Sequence, residues 1–574
     1  MESHSSPSLT SSVQSKIQLA LSDRYMTQLH CAGMAGLWMT LSQLKKQFPD
    51  ANQRPGQLDW QLSSCSINLW WSGRDLDILD WLLKQAFQVN EQGLIALTGM
   101  DIQTLDVHTQ IATHQGIVGT FLQHHKFRTT VDKKLLFLLL NYWYKWYFAA
   151  QSNEAKEVRG LEHWHLSLVY YLLFIKFSMD FYLFLEVGEK TIVISYSKLI
   201  SYAHRDFARR LCNKQGQLLQ EPIQIAGLLY PGAVMNHAAF EKQTKFEVAS
   251  NEALVLLFAP VACWYFMVPS SPRNKRIQYI LVIPEISDLE AYAKHGREIR
   301  NSSYENFWVS SLGDAGLKFL TLQDDVQPIK EGEVRGCQSV LFTKPTWSRQ
   351  QLVRKEVERI EATKESLFCY RLCYKYIPQN TIFWQEGKFH IRVSNIRGLI
   401  ADNLGRGLAW WDGISKETNS QCLFEELSFT EEGLLTMIEE AEWKDQAKKL
   451  FVKACHEALR RTYAKLYDQT AEGDYAQIER CNIHIRSELM RCKNATAFRE
   501  FLSQFFSKAG QIPILQKHWE ELLPITTGEV DWKLTRDLTL LALASYSKSE
   551  VLKDDKQPEI EELQNSHVGE GNVG

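Results

Sequence analysis

The sequence lacks the motifs that mark common catalytic and metal sites. Its eleven cysteines form no CxxC pair, and no histidine pair at zinc-finger spacing accompanies Cys369 and Cys373. It contains no GxxxxGK[ST] phosphate loop, no GxSxG nucleophile elbow and no HExxH metal motif, and no GxGxxG follows a predicted strand. We therefore expect no catalytic residues, no metal and no cofactor, and the sequence indicates a binding protein.

We also expect neither a disulfide framework nor a signal peptide. The odd number of scattered cysteines favours reduced thiols and a cytoplasmic location. Two long apolar runs, 135–150 and 166–187, are interrupted by polar or charged residues, among them Lys176 and Asp180. Because a charge at the centre of a bilayer is costly, we expect core helices here and no contact with a membrane.

The overall charge is nearly balanced, at −3 for 574 residues, with 45% hydrophobic and 23% charged residues. These values are typical of globular proteins, and the length predicts two or three domains. A balanced total can still contain a local basic groove. Any prediction of nucleic-acid binding must therefore depend on local clusters of cations.

The hydrophobic pattern predicts an α+β fold in three parts. We expect a mixed lobe over 1–425, a helical bundle over 426–547 and an acidic, disordered tail over 548–574. Within the lobe, the predicted helices are 20–48, 72–87 with Ser72 as its cap, 110–150 and 345–377. Residues 64–71 and several runs between 190 and 345, including 253–269 and 276–286, are predicted as strands, and 397–413 as a glycine-rich turn. In the bundle, helices are predicted over 430–468, 472–492, 495–508, 512–523 and 531–547.

Four polar residues occupy a predicted hairpin turn between two strand-like runs. They are Arg273, Asn274, Lys275 and Arg276. Arg and Asn can form bidentate hydrogen bonds with guanine and adenine edges, so this turn is our candidate for reading a DNA motif. A solvated surface turn is the alternative interpretation.

The stretch LFVKACHEALRRTYAKL (450–466) predicts a helix with one apolar face and a basic edge that includes His456. Between 444 and 508 there are thirteen Lys or Arg against eight Asp or Glu. The candidates for contact with a nucleic-acid backbone are Lys449, Lys453, Arg460, Arg461, Lys465, Arg486, Arg491 and Lys493. Such a track would bind phosphates without reading sequence. A charged, solvated helix face explains the same pattern.

Aromatic residues are abundant, with seventeen tryptophans. Some, such as Trp410 and Trp411, could stack on unpaired bases, although core and interface packing explain most tryptophans.

Three stretches resemble the large subunit of type I CRISPR surveillance complexes (Cascade), in the variety known from myxobacteria and cyanobacteria. They are HCAGMAGLWMTL (30–41), SINLWWSGRDLDILDWLLKQAF (66–87) and GTFLQHHKFRT (119–129). The order of a mixed lobe followed by a helical bundle is similar too, the bundle resembling the small subunit of such complexes.

The resemblance implies a non-enzymatic role. The lobe would contact the guide RNA (crRNA) assembly and read the protospacer-adjacent motif on target double-stranded DNA, and the bundle would hold the displaced strand of the R-loop. The implied partners are the backbone subunits, the subunit that binds the guide handle, and a helicase-nuclease or transposition proteins. Met437 is either an internal translation start, as in several relatives, or a core methionine.

Two other functions fit the residues. A nuclease could use His163, His165 and Asp402, and a scaffold could bind protein only. The sequence does not reveal the DNA motif.

Overall fold

The fold was obtained as a computed structural model. It describes residues 16–100, 105, 107–130, 180–187, 190–225, 227–229, 231, 246–269, 277–298, 307–343, 353–377, 380–385, 388–417, 421–467, 476–527 and 530–546. The predicted helices 135–150 and 166–179 and the predicted tail 548–574 lie outside these ranges. No helix within these ranges is long and apolar enough to cross a membrane.

Seventeen strands lie in the described ranges, all of them before residue 394. They are β1 (Ile17–Ala20), β2 (Asp59–Leu62), β3 (Ser66–Trp70), β4 (Phe87–Val89), β5 (Ile95–Leu97), β6 (Arg128–Thr130), β7 (Asp180–Val187), β8 (Lys190–Ser197), β9 (Leu199–Tyr202), β10 (Ile223–Ile225), β11 (Phe246–Val248), β12 (Trp264–Val268), β13 (Gln278–Pro284), β14 (Arg335–Thr343), β15 (Val353–Ala362), β16 (Asn380–Gln385) and β17 (Lys388–Val393). All the named pairs are antiparallel, with a four-stranded sheet β12-β13-β14-β15 and a three-stranded sheet β1-β3-β2 as the largest.

The helices of the lobe alternate with these strands. They are α1 (Gln28–Gln47), α2 (Asp75–Ala86), α3 (Val107–Thr120), α4 (Ala208–Leu211), α5 (Ser250–Leu257), α6 (Ala259–Ala262), α7 (Leu289–Glu298), α8 (Leu312–Val326), α9 (Lys364–Tyr376), α10 (Asn395–Gly405) and α11 (Ile414–Glu417). Seven more follow: α12 (Gln421–Glu440), α13 (Gln446–Tyr467), α14 (Ala476–Arg491), α15 (Ala495–Ala509), α16 (Pro513–Lys517), α17 (Trp519–Thr527) and α18 (Trp532–Ser545).

This arrangement confirms the α+β prediction. A mixed lobe is followed, from residue 421 of the described part, by helices alone. The predicted boundary between 425 and 426 falls within α12, and the division into domains stays a prediction. The predicted helices 472–492, 495–508 and 531–547 agree with α14, α15 and α18 to within a few residues. The predicted helix 430–468 is instead divided between α12 and α13, and the predicted helix 512–523 between α16 and α17.

Glycines in α1 set how the centre of the lobe packs. The structure places Gly33 against the carbonyl group of Val255 in α5, and Gly36 against that of Phe258. A Cβ atom at either position would overlap the carbonyl oxygen, so only glycine permits this close approach. The two glycines therefore let another backbone approach this helix closely.

Two of the predicted elements are wrong, the first because a locally apolar run has no unique period. Residues 253–262, predicted as a strand, form most of α5 and α6, and they are buried all round against α1. Conversely, β15 occupies part of the predicted helix 345–377. Ile360 and Ala362 are buried two residues apart, which is the strand period, and Thr363 then caps α9.

Four other boundaries also differ from the prediction. Ser72 does not cap α2, because its hydroxyl donates to the carbonyl of Gly56 at 3.0 Å and the helix begins at Asp75. The predicted turn 397–413 is mostly α10, which is capped by Ser394. Residues 128–130 of the predicted helix 110–150 form β6, and 180–187 of the predicted helix 166–187 form β7.

Candidate nucleic-acid interface

The candidate DNA-reading residues Arg273, Asn274, Lys275 and Arg276 lie outside the described residues. The two strands on either side are described. β12 and β13 pair antiparallel, with Val268 opposite Gln278 at the open end. Strands are therefore present on both sides, although the first is only Trp264–Val268 of the predicted run 253–269.

The apolar face predicted for α13 is confirmed. The fully buried residues of the helix are Phe451, Val452, Ala454, Cys455, Ala458, Leu459 and Tyr463. They recur at three- and four-residue steps, as expected of a helix that packs on one side. The face contacts α18, α15 and α17, so the helix lies at the centre of the bundle.

His456 does not belong to the basic edge. Its Nε2 lies 2.9 Å from the Ser545 hydroxyl in α18, and its ring packs 5.8 Å from that of Tyr546. Burial lowers the pKa of His456 to about 4, so the ring is neutral at physiological pH. This histidine is part of the packing between α13 and α18.

Two lysines of the basic edge bind one acidic residue at the end of α12. Lys453 Nζ donates to the Glu439 carboxylate at 2.8 Å, and Lys449 Nζ donates to the Glu439 carbonyl at 2.7 Å. The side chain of Lys449 is only 18% exposed. These contacts fasten the start of α13 to the preceding helix, and they occupy both ammonium groups.

The next cations along α13 are also engaged within the bundle. Arg460 and Arg461 both donate to the Glu457 carboxylate, at 3.0 Å and 2.6 Å. Burial opposes the ionisation of Glu457, but the two arginines outweigh it and lower the pKa of this carboxyl. Lys465 donates to the carbonyls of Lys508 and Ala509 at the end of α15, a favourable position for a cation.

The three candidates at the end of α14 differ in exposure. Arg491 and Lys493 are exposed, whereas Arg486 is partly buried, and burial lowers its pKa.

The structure thus brings the predicted basic residues of α13 onto one helix edge, but two carboxylates engage four of them. Sequence reasoning missed both acids, Glu439 and Glu457. The spacing of Glu457 and Arg461, four residues apart, was the signal that could have revealed one of them.

Asp537 joins the bundle to the lobe. Its carboxylate accepts hydrogen bonds from the backbone N–H groups of Gly413 and Ser415, both at 3.0 Å, where α11 begins. Burial raises the pKa of Asp537. Nearby, Trp443 stacks on Trp411, with ring centroids 6.1 Å apart.

The tryptophans at this junction are structural. Trp410 and Trp411 are both 4% exposed, and Trp410 meets Trp443 edge to face at 5.9 Å. Neither ring is accessible for stacking on a base. Met437 is fully buried in α12, as a core methionine would be.

The residues of the nuclease hypothesis do not assemble in the described ranges. His163 and His165 lie outside them. Asp402 accepts a hydrogen bond from the N–H of Gly313 at 2.8 Å, in the first turn of α8, and burial raises its pKa to about 6. No group of three His, Cys, Asp or Glu residues in the described part could hold a metal ion.

Comparison with known proteins finds similarity at both ends of the chain. A family model of the DevT N-terminal domain matches residues 18–139 and 178–257, and one of the DevT C-terminal domain matches 439–569. Together they match more than half of the chain. The CRISPR-associated protein Cas8a1/Csx13 of Myxococcus xanthus (strain DK1622) is 26% identical over 386 residues, or 63% of this chain. The match spans 65% of that protein, slightly less than two thirds of its length.

Proposed function

This chain belongs to the DevT family of Cas8-like CRISPR-associated proteins, and on that premise we propose that it is the non-catalytic large subunit of a type I Cascade effector complex. The resemblance predicted from the sequence is confirmed at the level of the family. The observation that carries the proposal is the presence of both DevT domains in one chain, a mixed lobe and a helical bundle in the expected order.

In this proposal the lobe recognises the protospacer-adjacent motif on target double-stranded DNA, and the bundle stabilises the crRNA-guided R-loop. Base pairing with the guide would read the target sequence, so the protein needs to read only the short motif and the shape of the duplex. The partners are crRNA, target DNA, the backbone subunits and the subunit that binds the guide handle. A helicase-nuclease or transposition proteins would act downstream.

The hairpin of β12 and β13 supports the turn 273–276 as the motif reader. β12 and β13 pair antiparallel in the four-stranded sheet, and residues 273–276 stand between them in the sequence. Arg273, Asn274 and Lys275 supply the hydrogen-bond donors and acceptors that distinguish base edges. The proposal assigns specificity to this turn and backbone binding to other cations.

Purification of the tagged chain from its native host tests the assembly. We expect crRNA and other Cascade subunits to accompany it. An assembly free of RNA would contradict the proposal and favour the protein-only scaffold. Metal-dependent cleavage of nucleic acid by the purified chain, lost on His165→Ala, would instead establish the nuclease.

The motif reader is tested in the reconstituted complex by the triple change Arg273→Ala, Asn274→Ala and Lys275→Ala. We expect a changed preference among flanking motifs in binding to a library of target duplexes. The exposed residues Lys45 and Lys46 at the end of α1 provide the control, because replacing them alters charge without altering the turn. An unchanged motif preference in the triple variant would remove the assignment of this turn.

A further inference from the structure

Two short segments of the lobe come together beside the pair β6 and β9. Arg128 in β6 lies opposite Tyr202 in β9, and the N–H of Ala203 donates to the carbonyl of Phe127 at 2.9 Å. The turn 124–127 therefore lies alongside the segment that follows β9 and leads into α4. Residues far apart in sequence become neighbours on one surface.

These segments carry five cations, which we call the basic patch. They are Lys126, Arg128, Arg205, Arg209 and Arg210. Arg205 follows Ala203 by two residues, so its Cα lies within about 7 Å of the residue paired with the turn. Arg209 and Arg210 follow in α4.

The basic patch is accessible and lacks acidic partners. Lys126, Arg209 and Arg210 are exposed. None of the five cations lies within 4.0 Å of a carboxylate belonging to the described ranges. The one acidic residue between 199 and 215, Asp206, accepts a hydrogen bond from the Ser201 hydroxyl at 3.3 Å. This differs from α13, where two carboxylates engage four of the cations.

The surroundings of the basic patch also show its positive field. Desolvation and the neighbouring charges of His125, Lys126 and Arg128 lower the pKa of His124. A site that disfavours a further positive charge favours an anion. Arg210 is also held in place, because its Nη2 donates to the Gln224 carbonyl at 3.3 Å.

The large aromatic rings at this surface lie beneath the cations. Lys126 Nζ is 5.1 Å from the ring centroid of Phe127, and the Arg210 guanidinium is 4.9 Å from that of Phe207. No exposed Phe, Tyr or Trp side chain lies within 121–130 or 199–215, both of which the structure describes throughout. Unpaired bases would therefore lack the exposed Phe, Tyr or Trp ring on which single strands usually stack.

We propose that the basic patch binds the phosphate backbone of double-stranded nucleic acid without reading its sequence. The inference rests on the proposed function, because it assumes that this chain contacts a duplex. It adds a second surface to the motif reader. Duplex held on the basic patch would be retained whatever its sequence, so that the turn 273–276 can test successive motifs.

The experiment compares two triple variants of the purified chain with equal changes of charge. The test variant is Lys126→Gln, Arg205→Gln and Arg209→Gln; the control is Lys449→Gln, Lys453→Gln and Arg461→Gln, whose cations are paired internally. Binding to a short duplex of arbitrary sequence is measured between roughly 50 and 200 mM salt. Thermal melting of each variant confirms that it is folded.

In the test variant we expect a loss of affinity of at least about tenfold. The slope of log affinity against log salt should flatten by roughly 0.9 for each phosphate that the variant no longer neutralises. The control should change both quantities less. Binding by the test variant equal to wild type would overturn the inference and leave the proposed function standing.

Three further results would also overturn it. Loss of affinity only in the α13 control would assign the backbone contact to the bundle. Equal or tighter binding of the wild type to vesicles rich in phosphatidylserine would identify a membrane-surface patch. Absence of any binding of wild type to duplex, alone and in the assembled complex, would remove the proposed function together with this inference.

Discussion

The carboxylate of Asp314 lies 3.2 Å from Nε of Arg397, and both side chains are fully buried in the lobe. The pair joins α8 to α10. The Tyr370 hydroxyl in α9 donates to the same carboxylate at 2.6 Å, and the Arg397 guanidinium lies 4.4 Å from the ring centroid of Tyr374. Burial alone would raise the pKa of Asp314, but the neighbouring charges of Arg397 and Lys318 outweigh burial and lower it.

Breaking this buried pair should destabilise the lobe strongly. Arg397→Met leaves the Asp314 carboxylate buried without its main partner, and we expect a loss of about 3–5 kcal/mol in the free energy of unfolding in urea. Arg359→Met is the matched control, since Arg359 is 60% exposed and binds Glu285 on the surface. Its change should stay below about 1 kcal/mol. Equal effects of the two changes would refute the role of burial.

Asp537 should keep the bundle attached to the lobe. Asp537→Ala leaves the N–H groups of Gly413 and Ser415 without acceptors, at an expected cost of about 1–3 kcal/mol. We expect limited proteolysis to cleave the variant faster near residues 413–420. Asp531→Ala removes only the N-cap of α18, so it should lower stability without this faster cleavage. The same cleavage rate in both variants would show that Asp537 does not fasten the junction.

Gly33 tests the packing of α1. Alanine at Gly33 would overlap the carbonyl oxygen of Val255, and either helix must move to relieve it. We expect Gly33→Ala to destabilise the protein by about 1–3 kcal/mol, despite the higher helix propensity of alanine. At Gly227 an added Cβ meets nothing within 4 Å, so Gly227→Ala serves as control. If Gly33→Ala leaves the thermal stability unchanged, the contact between α1 and α5 is not tightly packed.

His204 gives a pH dependence with a defined sign. It is 1% exposed among the rings of Phe87, Phe121 and Tyr202, and neither ring nitrogen has a partner among the described residues. Burial lowers the pKa of His204 from 6.5 to about 3. Below pH 6.5, His204 is therefore protonated in the unfolded chain but stays neutral in the folded chain. The free energy of unfolding falls as the pH falls toward 3.

His204→Leu should remove this contribution. At neutral pH we expect unchanged or slightly higher stability, because an unpaired polar group leaves the core. We compare the free energies of unfolding of variant and wild type, measured in urea. The difference in favour of the variant should be roughly 2 kcal/mol larger at about pH 5 than at pH 7. Burial also lowers the pKa values of His30, His114 and His456. The stability of both wild type and variant should therefore still depend on pH. Parallel pH curves would contradict the burial of a neutral His204.

Sequence reasoning predicts correctly those elements whose apolar residues recur at a single period, helical or strand-like. The apolar stripe of α13 repeats at helical spacing, and its buried face agrees with the structure. The run 253–262 is apolar at nearly every position, so the sequence shows no helical or strand period there. Its helical form is explained by the structure, in which it packs against the glycines of α1. β15 carries charges at positions that a helix would also expose, so its pattern fits both structures. Its strand form depends on pairing with β14, which is a contact between residues distant in sequence.

The candidate site was predictable only by residue type. The lysines and arginines of α13 can be read from the sequence. Whether each of them can bind a ligand depends on neighbouring acids such as Glu439. This residue precedes Lys453 by fourteen residues and lies in the preceding helix, so the sequence does not show that the two meet. The basic patch escaped prediction for a related reason. Its cations lie in two separate segments, 126–128 and 205–210, and only the pairing of β6 with β9 unites them.

The acidic partners on α12 and α13 offer a test of the predicted phosphate track. If Lys449, Lys453 and Arg460 contact phosphates in the assembled complex, Glu439 and Glu457 compete for the same cations. Glu439→Gln with Glu457→Gln should then tighten binding of target DNA several-fold and steepen its salt dependence. Reversal of the three cations to Glu should weaken binding uniformly across sequences and flatten the salt dependence.

The matched control for the acidic pair is Glu91→Gln with Glu331→Gln, two exposed acids of the lobe that lie more than 4.0 Å from every cation of the described residues. It removes the same charge from the lobe, so a general change in net charge would affect both double variants alike. Titration of reconstituted complexes with fluorescent target duplex measures the two affinities side by side. Tighter binding confined to the Glu439 and Glu457 variant would place phosphates on α13, because only there does each missing carboxylate release a neighbouring cation. Identical affinities would mean that the cations of α13 serve the packing of the bundle alone.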